Sequence, residues 1–370
     1  MGGTSWSDTV KMGEYTLRNR VVMESMTRCR CGKEGVPNDL VATYYAQRAS
    51  AGLICSEVTA ISPRANSYPG TACLYNQDHV AGWKKVTKAV HDKGGLIFVQ
   101  LYHAGRQNHS QKTGGLEPWA PSPIALRGKI KELGDIDYET PKEMTVEDIE
   151  AVKGEFENSF KLAKEAGLDG IHLHASYGFL IDQFLRSFTN HRTDNYGGSV
   201  ENRARFCLEV VDIALKHFKP YQVGLKLSPT GRMNDAFDEH PVETFTYLLG
   251  ELNKRNIGYI DLVESEKDKD FGKHIHPKEQ IANTCKTFRP LFKGIIFANN
   301  GFDPKSGIDK LKDGDADCIA FAKWYISNPD LADKLISETA INEKVDFSTA
   351  YFMGEGDPAK GYTDYEPAKK

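Results

Sequence analysis

Gln222-Val-Gly-Leu-Lys-Leu-Ser228, then Pro241–Arg255, then Gly258-Tyr-Ile-Asp-Leu-Val263 reads as strand, helix, strand. The two flanking runs are almost continuously apolar, as strands covered on both faces must be. The middle segment instead repeats its apolar residues at helical spacing. Such a unit pairs its strands in parallel. Working outward, the alternation recurs until eight strand-like runs are counted. The others are Arg20–Glu24, Gly52–Val58, Gly95–Leu101, Asp169–His174, Gly294–Asn299 and Asp317–Ala322. The remaining helical patterns are Asn38–Ser50, Asp78–Lys93, Thr145–Ala166, Ser199–Phe218, Pro277–Phe288, Lys305–Lys312 and Pro329–Glu338. Thr145-x-x-Asp148 is a capping-box-like opening, and Ser199-x-x-Asn202 is a weaker cap. Eight βα units without a Gly-rich turn after the first strand predict a closed (β/α)8 TIM barrel over an open doubly wound sheet.

One interval breaks the rhythm. Residues 102–144 are rich in Gly, Pro and charge and follow the third strand, which places them at the C-terminal face as a lid or functional loop. The whole chain, 1–370, is expected to be one barrel domain. Its core covers about 11–340, and a tail over 341–370 caps the barrel.

Composition narrows the function. Apolar residues make up 40% and charged residues 26%, with a net charge of −4 and no basic tract, which argues against nucleic-acid or anionic-membrane partners. Met1–Val10 carries no signal-like apolar segment, and the longest apolar runs are too short to span a bilayer. Seven scattered cysteines, two of them at Cys29-x-Cys31, fit reduced buried thiols, so a cytoplasmic location is expected.

In a barrel, chemistry gathers at the C-terminal ends of the strands. Those ends hold no spacing that suggests a metal site and no nucleophile elbow. His174 is read as facing the lumen and His172 as an outward packing residue. The turns after the seventh and eighth strands lie where this architecture usually binds phosphate.

The runs His174–Phe184 and Asn190–Phe206 resemble the Old Yellow Enzyme family of FMN-dependent NAD(P)H reductases acting on α,β-unsaturated carbonyl compounds. Also similar are Asn19–Met23, Met26-Thr-Arg28, Val99-Gln-Leu101, His103-Ala-Gly-Arg106, Gly224–Pro229, Ile326–Leu331 and Gly361–Tyr365. The resemblance implies FMN as cofactor, NADPH or NADH as reductant and a small enone as substrate. It implies that Thr27 and Gln100 bond the flavin edges and that Lys226, where relatives carry Arg, supplies charge near N1/C2=O. It makes His174 and Tyr177 the donors that grip the substrate carbonyl, with Tyr102, Phe179 and Tyr351 lining the substrate cavity. Asn300, Gly301, Ala322 and Lys323 would form the phosphate cup, and Val58 would lie beneath the ring.

Several of these positions depart from the family pattern. Tyr177 replaces Asn or His, and Phe179 replaces the Tyr that donates a proton. Val58 replaces a smaller residue, Glu24 brings a carboxylate to the flavin edge, and Ala322-Lys323 replaces Gly-Arg. The bland readings are that His174 is a packed barrel histidine, that Lys226 and Lys323 are neutralised by neighbours such as Glu24, and that Tyr102 and Tyr177 are cavity fillers. Three functions stay open: an ene-reductase, a barrel without redox activity serving protein assembly partners, and a redox-neutral isomerase-like flavoenzyme.

Overall fold

Eight buried, mostly apolar runs pair side by side in parallel: β1 (Val21–Met23), β2 (Leu53–Ala60), β3 (Ile97–Tyr102), β4 (Gly170–Ala175), β5 (Val223–Leu227), β6 (Tyr259–Val263), β7 (Ile295–Asn299) and β8 (Cys318–Phe321). β8 returns to β1, which also pairs with β2, so the sheet closes into the expected (β/α)8 barrel. The computed structural model describes residues 4–265, 281–352 and 354–366. β2 carries a register shift between Cys55 and Val58, which re-aims the side chains at its C-terminal end.

The lumen floor is packed. Val22, Leu53, Cys55, Phe98, Tyr259, Phe297 and Cys318 form one buried cluster, plugged from below by Val10, Met12 and Leu17 of a hairpin over Val10–Met12 and Tyr15–Leu17. Gly170 and Gly224 face this floor. A Cβ at Gly170 would stand 2.4 Å from the Phe98 ring, and one at Gly224 2.2 Å from the Tyr259 ring. Two residues further along the same strands, His172 and Lys226 therefore point inward as well.

His172 contradicts its outward assignment. Its Nδ1 lies 2.8 Å from Tyr259 Oη and 3.4 Å from Cys55 Sγ, on strands across the lumen. Residues two apart on a strand share a face, so His172 and His174 must both face inward.

The helices follow their caps. Thr145 and Asp148 form a reciprocal capping box at Val146–Glu165, and Ser199 accepts from Asn202 N at Val200–His217. Of the Pro277–Phe288 pattern, residues 277–280 lie outside the described residues, and the helix is Thr284–Phe288 because Asn283 caps it, accepting from Lys286 N. Two short helices were not expected, Leu180–Leu185 after β4 and Lys323–Ser327 after β8. The 102–144 interval holds a parallel pairing of Lys142–Glu143 with Trp119–Ala120 and a small hairpin. Arg28 ties the C-terminal tail down through Ala350 O at 2.9 Å and Gly361 O at 2.7 Å.

Candidate active site

The end of β4 leads into Ser176-Tyr177-Gly178-Phe179, a turn with two successive left-handed residues, Tyr177 (φ 54°) and Gly178 (φ 73°). A bulky residue holds that conformation only where neighbours impose it. Here Tyr177 N donates to Ser228 Oγ at 3.0 Å. Its carbonyl accepts from Gln107 Nε2 and Asn234 Nδ2, each at 2.8 Å. Gly178 N donates to Asp182, which is itself held by Arg186 at 2.7 Å. The turn is thus fixed from three directions.

It presents His174, Tyr177 and Phe179 together. His174 Nδ1 lies 3.0 Å from Ser176 Oγ, which leaves Nε2 as the ring nitrogen able to meet a ligand. Burial, then the Lys226 ammonium, holds the imidazole far below its usual pKa, so it is neutral. The Phe179 ring packs edge-on against His174 at 4.5 Å and against Tyr102 at 5.2 Å. Tyr102 Oη is engaged by Ser67 N at 3.1 Å and Asn66 Oδ1 at 3.3 Å, so Tyr102 is a braced wall of the site. Tyr351 keeps about half its surface exposed, at 51%, on the tail that Arg28 tethers.

At the centre of the mouth, Lys226 Nζ donates to Glu24 Oε1 at 2.6 Å, with both side chains buried. Lys226 also lies 5.1 Å from the Tyr177 ring centroid. Burial works against both charges, but each ion holds the other in its charged form: Glu24 sits well below the carboxylate range and Lys226 above the amine range. The neutralisation of Lys226 by Glu24 is therefore real, and Lys323 differs: it is exposed, with its ammonium 4.5 Å from the Trp324 ring. Gln100 is 1% exposed and its Nε2 has no partner among the described residues. Thr27 is half-buried and Val58 buried.

The turn after β7 also has two left-handed residues, Asn300 (φ 77°) and Gly301 (φ 81°), with Asn300 Nδ2 bonded to Glu264 O at 3.2 Å. A Cβ on Gly301 would meet nothing within 4 Å, so open space lies above this backbone. Ala322 (φ −96°, ψ −81°) sits at the start of Lys323–Ser327 in a conformation an L-residue can adopt.

A parallel barrel whose C-terminal mouth carries a neutral histidine, a buried ion pair and an open glycine turn after β7 has the place and the backbone to take a phosphorylated ligand. Residues 8–342 match the model of the NADH:flavin oxidoreductase / NADH oxidase family, and the chain belongs to that family, as an Old Yellow Enzyme-type protein. A flavin oxidoreductase of Emericella nidulans, hxnT, is 39% identical, with 96% of each chain covered. 12-Oxophytodienoate reductase 1 of Oryza sativa subsp. japonica is 36% identical over 96% of this chain and 91% of its own. Among solved structures, the old yellow enzyme homologue from Zymomonas mobilis superposes with a TM-score of 0.91 at 34% identity, covering 99% of this chain and 100% of that one. Morphinone reductase in complex with tetrahydroNAD gives 0.89 at 36%, covering 99% and 98%. Three of these four names are those of reductases or oxidoreductases, and none lends support to a barrel stripped of redox activity.

FMN is the cofactor of this family, and the residues here fit it in two respects. The orphaned Gln100 amide is a buried donor awaiting an acceptor, and the open backbone at Gly301 is a cradle that a side chain would fill. Sequence reasoning missed Ser176 and Ser228, which orient His174 and Tyr177. Both lie in stretches that the strand ends single out, His172–Phe179 and Lys226–Ser228, but their contacts with His174 and Tyr177 depend on the folded turn and carry no local signal.

Proposed function

We propose that this chain is an FMN-dependent reductase of the C=C bond of α,β-unsaturated carbonyl compounds, with NADPH or NADH as reductant. The observation that supports the reading is the fixed His174–Tyr177 turn, with the two rings 6.2 Å apart and edge-on at the mouth of a flavoprotein-family barrel. Thr27 and Gln100 would hold the flavin edges, Lys226 its N1/C2=O side, Val58 its underside, and Asn300, Gly301, Ala322 and Lys323 its phosphate. Bound flavin supplies the hydride.

The chain's own residues do the rest. His174 and Tyr177 donate to the carbonyl oxygen and polarise the enone, an electrostatic task for preorganised neutral donors. Tyr102 and Phe179 wall the substrate space, and Tyr351 closes it from the tail. Phe179 has no proton to give, so the α-carbon receives its proton from water. That same residue favours a second reading, redox-neutral isomerisation of an enone, in which no net reduction is completed.

The test is the absorption spectrum of the chain saturated with FMN, followed by anaerobic NADPH oxidation with cyclohexenone. A flavoprotein spectrum with enone-dependent oxidation supports the reductase. Bound flavin with double-bond migration and no net oxidation supports the isomerase. Failure to bind FMN at saturation overturns both.

A further inference from the structure

Below the mouth, three strands bring Glu24 (end of β1), His172 (β4) and Asp261 (β6) to one point in the lumen. One ligand atom from each lies within 4.8 Å of the other two, and all three side chains are buried. Each residue is engaged on one side only. Glu24 Oε1 accepts from Lys226, Asp261 Oδ2 accepts from Asn299 Nδ2 at 3.3 Å, and His172 Nδ1 meets Tyr259 Oη at 2.8 Å. The other atoms, Glu24 Oε2, Asp261 Oδ1 and His172 Nε2, have no hydrogen-bond partner among the described residues.

Three potential ligand atoms gathered this closely in a buried lumen call for a proton or a cation between them. Burial, then the Glu24 carboxylate, pushes the Asp261 carboxyl well above its usual range, so without a metal this carboxyl holds a proton. A proton shared between Glu24 and Asp261 would serve two of the three and leave His172 Nε2 orphaned, and a buried polar atom without a partner is destabilising. The other imidazole tautomer does not rescue it, because His172 Nε2 stands 3.8 Å from Asp261 Oδ2, beyond hydrogen-bond reach. A metal ion serves all three. With separations of 4.8 Å or less, a point exists within about 2.8 Å of every ligand atom, so a small contraction reaches the roughly 2.0–2.2 Å of zinc–imidazole and zinc–carboxylate bonds.

We propose that Glu24, His172 and Asp261 form a binding site for a divalent transition metal, with one imidazole nitrogen and two carboxylate oxygens as ligands. Tyr259, Lys226 and Asn299 form its outer shell, orienting the ring and the carboxylates as such partners do in metal sites. The absence of a ligand spacing in the sequence does not count against it, because the three residues come from three separate strands. This site shares Lys226 with the proposed flavin site through Glu24, but it is argued from the lumen geometry and not from the proposed function.

A buried site is loaded during folding. The full chain is unfolded with chelator, refolded with cobalt(II) and desalted, and its metal content and visible spectrum are recorded. The expected result is about one cobalt per chain with d–d bands, and a loss of more than about tenfold in His172→Gln and Asp261→Asn chains that refold to the same far-ultraviolet circular dichroism. If those variants do not refold, X-ray absorption of the cobalt-loaded unmodified chain decides: an imidazole ligand supports the site, and none overturns it. A refolded chain without cobalt, or cobalt kept by refolded variants, overturns it too. In the cobalt-free case, a protonated-carboxyl infrared band lost in Asp261→Asn would assign the position to a proton.

Discussion

Lys226 Nζ stands 2.6 Å from Glu24 Oε1 across the barrel mouth, with the two side chains 6% and 2% exposed. A pair this buried costs much to desolvate, and its ions depend on each other. Glu24→Ala removes the ammonium's hydrogen-bonded counter-ion, leaving Asp261 as the nearby carboxyl, and is expected to lower unfolding free energy by up to about 3–5 kcal/mol, as Lys226→Met should by stranding the Glu24 carboxylate. The double variant Glu24→Ala/Lys226→Met should recover most of that loss. Urea unfolding of the four chains tests this, and additive losses would show that the two ions are not energetically joined.

Glu57 offers a pH dependence whose sign can be worked out. Burial, opposed by the Arg28 backbone N–H, raises its carboxyl from 4.5 to about 7. The folded chain thus keeps this proton to higher pH than the unfolded chain does. The stabilisation is full below about 4.5 and is lost as pH rises through about 7, a swing of about 3 kcal/mol. Glu57→Gln keeps an acceptor for Arg28 N and removes the titration. Relative to the unmodified chain it should gain stability between pH 5 and pH 8, as read by urea midpoints at both. A difference that does not change with pH would contradict the assignment.

Arg28 joins β1 to the tail. Its guanidinium lies 5.2 Å from the Tyr44 ring and 5.1 Å from the Tyr362 ring, and those rings stack at 4.0 Å. Arg30 adds bonds to the carbonyls of Thr349 and Pro358. Arg28→Lys keeps the charge but loses the fork that reaches both Ala350 O and Gly361 O. Limited chymotrypsin digestion should cut that variant near Tyr351 and Phe352 several-fold faster, with the barrel left intact. Equal cleavage rates would show that Arg30 and the ring stack hold the tail without Arg28.

The barrel was legible because its signal is local. Each strand is a short apolar run and each helix a periodic one, and all eight strands appear within a few residues of their expected bounds. Glu24 was legible as a neighbour of Lys226 because both fall at strand ends that face one mouth. The lumen cluster was not. His172 was misassigned although its spacing from His174 alone puts both on one face, and Asp261 meets them only through barrel closure, which no local pattern records. The short helix Leu180–Leu185 escaped because its apolar run reads equally as a buried strand.

Phe179 decides how the proposed reaction ends. Its ring is 5% exposed and packs between His174 and Tyr102, so a para-hydroxyl on it would point from the same wall that frames the substrate. Hydride addition at the β-carbon leaves an enolate whose α-carbon needs a proton, and general acid assistance is worth about 10²–10⁴-fold. In the proposed mechanism His174 and Tyr177 are both used at the carbonyl oxygen, so neither serves the carbon. Phe179→Tyr should accelerate cyclohexenone reduction by a factor in that range, with KM for NADPH unchanged, and should weaken the solvent isotope effect that water-borne protonation gives. In the isomerase reading, the same change should convert migrated product into reduced product. An unmodified chain that already turns over as fast as the tyrosine variant, with the same isotope effect, would show that water reaches the α-carbon without help and that position 179 serves packing alone.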